Sequence, residues 1–235
     1  EMLAPMQAES LREVYRKSVL VACNWKVTAE AFLEVYHFKH IHSHDGVSVL
    51  NSEASVMGLY PNGHSRMSTG YSRQNCDRYG MDDWDDWKEL DNGPFATIDG
   101  VPDIIDCTST AVSLCPNFIT PLGKFGFPVI LFWPVDRGMT RIDWIYYAPK
   151  DWEGDELPEH WETRRKQFDQ IMDEDMLNMA PMQESMESAV FTGIPLNYQE
   201  RRIWHLHEQI DRMIGRDNIP EELRVEQLLD PYVER

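Results

Sequence analysis

Residues 24–42 of the chain, NWKVTAEAFLEVYHFKHIH, combine an apolar helical pattern with a group of histidines. The apolar positions recur at i, i+1, i+4 and i+5, and they are Ala31, Phe32, Val35 and Tyr36. Residues at this spacing lie on one face of an α-helix. The pattern therefore predicts a helix from residue 28 to about residue 39 or 41.

Four histidines fall within eight positions at the end of this predicted helix: His37, His40, His42 and His44. On a regular helix His37 and His40 meet most easily, because residues i and i+3 are neighbours. His37 and His42 are five residues apart, and on a regular helix their side chains would point about 140° away from each other. Both can therefore bind one metal ion only if the helix ends between them. Residues 43–46, which include a serine, an aspartate and a glycine, supply such a stop.

A histidine-rich helix end also has a plain interpretation, a solvated cap whose positive charge favours the helix dipole. Four histidines in so short a segment, after an apolar face and beside Glu34, favour a metal site instead. Spacing alone leaves open which two of the histidines would be the ligands.

The middle of the chain carries the residue patterns of an antiparallel sheet. Strand-like runs occupy residues 55–60, 65–71, 110–114, 127–133 and 139–147. Pro61-Asn62-Gly63 joins the first two runs, and an Asn-Gly pair favours a hairpin turn. Residues 10–20 are expected to form a short helix or an irregular lead-in. The acidic, tryptophan-containing loop over residues 77–100 is expected to be a solvated insertion, and the alternative is a segment that folds over the mouth of a cavity.

The last third of the chain is predicted to be helical. Apolar residues recur at helical spacing from residue 160 to about residue 179. Asn197 precedes Glu200 by three positions, a capping-box pattern at the start of a final helix. The buried face of this final helix is predicted to contain Ile203, Leu206, Ile210 and Met213. Helix, antiparallel strands and then helices indicate an α+β fold, with helices packed on one face of a twisted sheet.

Composition and charge limit the classes of function. The 235 residues are 42% apolar and no linker-like segment divides them, so one domain over residues 1–235 is expected. A net charge of −18 disfavours binding to nucleic acids and to membrane surfaces. The first ten residues lack the pattern of a signal peptide, and the longest apolar run is too short to span a bilayer. We therefore expect a cytoplasmic protein that binds no nucleic acid and no membrane.

The segment that opens this section closely resembles the catalytic domain of Rieske non-haem iron oxygenases. It is most similar to the α subunit of aromatic-ring-hydroxylating dioxygenases and their monooxygenase relatives. The matching residues are Asn24-Trp25-Lys26-Val27, the run from Glu30 to His37, and His42. The family pattern begins with NWK and continues with an acidic residue that is followed, after two further positions, by a histidine. A second histidine follows after four more positions. Later matches are Leu114-Cys115-Pro116-Asn117 and Glu174-Asp175, followed by Gln183, Ser188, Gly193 and Glu200. The resemblance covers nearly the whole chain and implies a helix-grip (Bet v1/START-like) fold, an antiparallel sheet with a long helix packed across it.

The resemblance also implies a mononuclear Fe(II) site. It assigns the two imidazole ligands to His37 and His42, and the third ligand to Asp175. Asp173 and Glu174 are neighbouring carboxylates that the sequence by itself does not exclude. Two histidines and one carboxylate leave three open positions on the iron, where O2 binds beside the substrate. The implied reaction is hydroxylation of an aromatic or other apolar organic substrate.

Glu34 stands at the acidic position of the family pattern. The resemblance implies that its carboxylate orients an iron-ligating histidine and completes an electron path from the 2Fe-2S Rieske cluster of a neighbouring subunit. Electrons would come from NAD(P)H through a reductase, and in some relatives through a ferredoxin. Intact relatives commonly form trimers, so the full-length protein is expected to be a homotrimer or an α3β3 assembly.

The chain departs from the family at the Rieske cluster itself. The Cys-x-His and Cys-x-x-His pairs that hold such a cluster do not occur in this sequence, which begins with Glu1. We expect an excised catalytic domain, without its N-terminal Rieske domain, that binds iron but does not turn over with a reductase. The alternative is a natural protein that lacks the cluster.

Three other functions are compatible with parts of the sequence. A helix-grip chain could be a non-enzymatic module that binds a hydrophobic ligand. Glutamate at the position of Glu34 also occurs in relatives that act on quaternary amines, which would make the chain a quaternary-amine monooxygenase or demethylase of the same family. A zinc hydrolase is the weakest alternative, because the sequence has no HExxH motif. The sequence does not identify the substrate, nor does it distinguish dioxygenation from monooxygenation.

Overall fold

The computed structural model describes residues 3–43, 47–83, 86, 93–150 and 152–234. Within them, seven strands form one antiparallel sheet: β1 (Leu11–Val21), β2 (Leu50–Tyr60), β3 (His64–Tyr71), β4 (Thr108–Leu114), β5 (Phe118–Leu122), β6 (Phe127–Asp136) and β7 (Met139–Pro149). Their order across the sheet is β1-β7-β6-β5-β4-β3-β2, so β1 and β2 are the two edges. The five strand-like runs of the sequence are confirmed.

The described α-helices are α1 (Trp25–Glu30), α2 (Phe38–Ile41), α3 (Arg73–Tyr79), α4 (Asp103–Cys107), α5 (Glu159–Met186) and α6 (Arg201–Ile214), and short 3-10 helices occur between several of the elements. The longest, α5, lies across the sheet. Its Met172 and Met179 are buried in the main core cluster together with Ile130 of β6 and Trp144 of β7. This arrangement confirms the α+β, helix-grip fold. None of the described helices is both long and apolar enough to cross a membrane.

The first strand corrects the expectation of a short helix or irregular lead-in at residues 10–20. β1 pairs with β7 along its whole length, from Leu11 opposite Pro149 to Val21 opposite Thr140. Because β1 is an edge strand with one solvated face, it carries several charged residues that obscure the strand pattern. β5 was also missed, since it is short and contains Pro121.

The helix predicted from residue 28 to about residue 41 is two helices, α1 and α2, with a turn between them. Leu33 and Val35 lie in this turn, and both are almost completely buried, in two different core clusters. Residues two apart on a helix point about 200° away from each other, so one continuous helix would bury only one of them. The need to bury both side chains breaks the helix just before His37.

Local signals elsewhere in the sequence are confirmed. The chain reverses at Pro61–Gly63 between β2 and β3, with positive φ at Asn62 and Gly63. Asn197 and Glu200 form the predicted capping box before α6. Two predictions in the helical region are wrong: α5 continues to Met186 rather than ending near residue 179, and Met213 of α6 is 59% exposed.

Strand alternation separates the two faces of the sheet. Along β4, Ser109 and Ala111 line cavities on the face that α5 covers. Val112, on the opposite face, belongs to a second core cluster with Met6 and Ile105. The first face and α5 together enclose the space in which the candidate site lies.

Candidate metal centre

His37, His42 and Asp175 meet beneath α5. Their ligand atoms all lie within 4.8 Å of one another, and all three side chains are largely buried. Oδ1 of Asp175 is 3.0 Å from Nε2 of His42 and 3.7 Å from Nε2 of His37. His40 is exposed and lies outside this cluster, while His44 lies outside the described residues.

The short helix α2 explains how histidines five positions apart can converge. His37 is its N-cap residue and His42 its C-cap residue, where the backbone leaves the helical conformation with φ −100° and ψ 25°. The two imidazole rings lie 5.2 Å apart at 79° to each other, and the ring of Phe38 contacts both. The preference of helical spacing for His37 with His40 is therefore wrong, because the helix ends at His42. Most of the stop proposed at residues 43–46 lies outside the described residues, because residues 44–46 are not described.

Each imidazole is oriented by a carboxylate at its other ring nitrogen. Nδ1 of His37 is hydrogen-bonded to Oε1 of Glu34, and Nδ1 of His42 is 2.9 Å from Oε2 of Glu174. Glu34 is itself fixed, because its second oxygen accepts hydrogen bonds from the backbone N–H groups of Tyr36 and His37. When Nδ1 donates to a carboxylate, the neutral imidazole has its lone pair on Nε2, which is the tautomer that binds a metal.

The electrostatics of the cluster call for a cation. In the neutral tautomers, the Nε2 lone pairs of both histidines face the Asp175 carboxylate, an arrangement that is repulsive unless a proton or a metal ion lies between them. Burial lowers the pKa of His42, but the hydrogen bonds and charges of Asp175 and Glu174 outweigh burial and raise that pKa above its ordinary value. The three carboxylates of this cluster carry negative charge in a buried place, and a divalent metal ion balances more of that charge than a single proton does.

The geometry fits a first-row transition metal. Bonds of about 2.1 Å at right angles would place neighbouring ligand atoms about 3 Å apart. The distance from Nε2 of His42 to Oδ1 of Asp175 has this value, and the distance from Nε2 of His37 to the same oxygen is slightly longer. Two histidines and one carboxylate on one side of an ion are the donor set of non-haem Fe(II) oxygenases. The residues present therefore fit a mononuclear iron.

The structure distinguishes the three acidic neighbours on α5. Asp173 is 64% exposed and points to Lys17. Glu174 bonds to His42 on the side away from Asp175, and only Asp175 faces both histidines. The sequence indicated Glu174 only as a possible alternative ligand. Its contact with His42 depends on the docking of α5 against α2, which no local sequence signal encodes.

A small cavity of about 90 Å³ lies against the cluster and is lined by His37, His42 and Asp175. Its other walls are almost entirely apolar: Phe32, Phe38, Leu50, Met67, Ala111, Ile119, Pro121, Ile130, Phe168, Ile171 and Met172. Ile119 and Ile130 of the sheet belong to these walls, whereas Phe132 is fully buried against Phe32.

Comparisons with known proteins identify a family and several structural relatives. Residues 8–216 match the family described as ring hydroxylating alpha subunit (catalytic domain). None of the curated proteins matches the chain in sequence.

Among solved structures, the quaternary ammonium Rieske monooxygenase CntA in complex with the inhibitor MMV12 superposes with a TM-score of 0.61 at 15% identity, covering 87% of this chain and 50% of that one. Naphthalene 1,2-dioxygenase from Rhodococcus sp. bound to indole superposes with a TM-score of 0.55 at 14% identity, covering 87% of this chain and 56% of that one. The chain thus spans about half the length of these structural relatives. The match to the family model over most of its length means that the chain belongs to the ring-hydroxylating oxygenase α subunits, as their catalytic domain.

Proposed function

We propose that this chain is the oxygen-activating part of a Rieske-type non-haem iron oxygenase that hydroxylates an aromatic or other apolar organic substrate. The observation that carries the proposal is the convergence of His37, His42 and Asp175 beside an apolar cavity. A bound Fe(II) would supply reductive activation of O2 at the positions that these three ligands leave open.

The residues of the chain have distinct tasks in this proposal. His37, His42 and Asp175 hold the iron, while Glu34 and Glu174 fix the tautomers and the ring angles of the two histidines. The apolar walls of the cavity keep water away from the iron and hold an apolar substrate alongside it.

Glu34 is the residue that we propose for electron entry. It bonds to His37 and also lines a further cavity of about 300 Å³, which includes Val27, Glu30 and Ile203. This position supports a path on which electrons from NAD(P)H pass through a reductase, and in some systems a ferredoxin, to a 2Fe-2S Rieske cluster and then past Glu34 to the iron. The cluster would be carried outside this chain, on a neighbouring subunit of a homotrimer or α3β3 assembly. A cytoplasmic location stays a prediction.

Two alternatives remain worth testing. A quaternary-amine monooxygenase is favoured by the glutamate at position 34 and by the similarity to CntA, one structure of which is described as a complex with L-carnitine. A purely hydrophobic-ligand-binding module would have no use for a buried cluster of two histidines and three carboxylates, and that cluster argues against it.

Iron binding tests the proposal without any electron donor. The chain is loaded anaerobically with Fe(II), freed of excess metal and analysed for iron content. We expect one iron per chain, lost in His37→Ala and retained in His40→Ala, since His40 is an exposed histidine of the same short helix. Failure of the wild-type chain to retain iron, or equal iron content in the two variants, would contradict the proposal.

A further inference from the structure

A larger cavity adjoins the small one at the candidate metal centre. Its volume is about 440 Å³. The two cavities share six lining residues: Phe38, Leu50, Ser109, Pro121, Phe168 and Ile171. An organic molecule could therefore occupy the larger cavity and reach toward His37, His42 and Asp175 through this shared apolar wall.

Among the described residues that line the larger cavity, cationic side chains outnumber carboxylates. Arg164, Lys124 and Asp106 line it, and the Lys124 ammonium lies 3.9 Å from the Asp106 carboxylate. Among the described residues, no carboxylate forms an ion pair with Arg164. A cavity-lining arginine without a carboxylate partner in the described part of the chain is unusual for a protein whose net charge is −18.

The guanidinium of Arg164 acts electrostatically on the same cavity. Tyr71, which also lines it, is partly buried. Burial raises the pKa of the Tyr71 hydroxyl, and the charge of Arg164 partly opposes that rise. The side chain of Arg164 is half-buried and is thus partly removed from water. A partly buried charge attracts an anion more strongly than a charge on an open surface does, because the local dielectric constant is lower.

Arg164 and the candidate metal ligand Asp175 lie on one face of α5. Phe168 and Ile171 lie between them at helical spacing, and both line the two cavities. Eleven residues of α-helix correspond to about 16 Å along the axis. The face thus has a cation at one end, an apolar middle and a metal ligand at the other end.

We propose that Arg164 binds the carboxylate of an elongated apolar substrate whose far end reaches the candidate metal centre. This inference rests on the proposed function, because it takes His37, His42 and Asp175 as the reacting end. The apolar stretch between the two ends contains Phe168 and Ile171 and extends over about three helical turns. An extended apolar stretch of this kind suits two fused or linked rings better than one ring. The cationic side chain of Arg164 in this cavity disfavours a substrate that carries only a quaternary ammonium group.

Binding measurements test the inference apart from turnover. The Fe(II)-loaded chain is titrated anaerobically with biphenyl-4-carboxylate, biphenyl and benzoate, and the dissociation constants are measured by calorimetry. We expect biphenyl-4-carboxylate to bind most tightly. Arg164→Gln should weaken its binding roughly 10- to 100-fold and leave biphenyl binding unchanged, because a charge-assisted pair is lost. Arg164→Lys should have an intermediate effect, because lysine keeps the charge but not the planar fork.

Lys166→Gln is the matched control. It removes the same charge from α5 at a side chain that is 68% exposed and does not line either cavity. An equal loss of carboxylate binding in Lys166→Gln, an equal loss of biphenyl binding in Arg164→Gln, or no binding of the acid at all would each overturn the inference. Iron content is measured in the same samples. Arg164-dependent binding of the acid to a chain that holds no iron would support the carboxylate site while contradicting the iron.

Discussion

Nδ1 of His42 lies 2.9 Å from Oε2 of Glu174. Glu174 directly precedes Asp175, whose carboxylate faces Nε2 of the same ring. Two adjacent acidic residues of α5 thus contact opposite edges of one imidazole. One of them orients the ring and the other completes the candidate metal centre. The consequence is that the iron affinity of this site should depend on a residue that does not touch the iron.

Replacing Glu174 by alanine should therefore weaken Fe(II) binding. Loss of the Nδ1 partner frees the His42 ring to rotate and lowers the basicity of Nε2, and such outer partners typically contribute 10- to 100-fold to metal affinity. The measurement is an anaerobic competition titration against a chelator of known affinity. Asp173→Ala is the control, because Asp173 is 64% exposed and faces Lys17. If the two variants bind Fe(II) equally well, Glu174 does not tune the site.

The sequence predicts those parts of the fold that rest on local signals. Asn62-Gly63 favours positive φ directly, and the hairpin is present. The pairing of Asn197 with Glu200 likewise needs only neighbouring residues. β1 was missed because its strand character depends on pairing with β7, which lies more than a hundred residues away in the chain.

Local sequence patterns predict the candidate site less well than they predict these turns and caps. The break between α1 and α2 follows from the burial of Leu33 and Val35 in different clusters, a tertiary effect that helical periodicity does not contain. Without that break, spacing favours His40 over His42. Family resemblance supplied His42 and Asp175, and the structure brings both beside His37. Their roles as iron ligands stay predictions until metal binding is measured.

A glycine at the β2–β3 turn should be required for stability. Gly63 has a φ of 74°, and a Cβ added there would lie 2.7 Å from Cβ of Gln209 on α6. Gly63→Ala should thus lower the free energy of unfolding both through backbone strain and through a clash that displaces α6, by about 2–4 kcal/mol in total. Denaturant unfolding followed by circular dichroism measures the change.

Gly80→Ala separates the two contributions to that loss. Gly80 also has a positive φ, 67°, but a Cβ there meets no atom of the described residues within 4 Å. We expect this variant to lose only the conformational part, about 1 kcal/mol. Equal losses in the two variants would mean that the contact with Gln209 is accommodated at no cost.

His64 should make the fold sensitive to acid. Its Nδ1 accepts a hydrogen bond from the backbone N–H of Cys115 over 3.1 Å, which requires the neutral ring. Burial lowers the pKa of His64 below its ordinary value of 6.5, and the nearby His205 lowers it further. A histidine with a lowered pKa contributes stability that is present above pH 6.5 and is lost as the pH falls through the folded-state pKa.

As the pH is lowered from 6.5, the free energy of unfolding of the wild-type chain should therefore fall more steeply than that of His64→Asn. Asparagine can still accept from Cys115 through its side-chain oxygen but does not titrate in this range. Urea unfolding at several pH values gives both slopes. Parallel slopes in the two proteins would show that protonation of His64 does not limit stability.

The contact between Glu34 and His37 leads to a prediction about turnover rather than binding. In Glu34→Gln the amide oxygen still accepts from Nδ1 of His37, so iron should be retained, but the negative charge on the proposed electron path is lost. In the enzyme assembled with its Rieske cluster and reductase, we expect reoxidation of the reduced cluster by O2 and substrate to be roughly 10- to 100-fold slower per bound iron. Glu30→Gln is the control, because Glu30 lines the same 300 Å³ cavity but bonds to His207. A loss of rate that merely follows a loss of iron, or one that Glu30→Gln reproduces, would reduce Glu34 to a structural role.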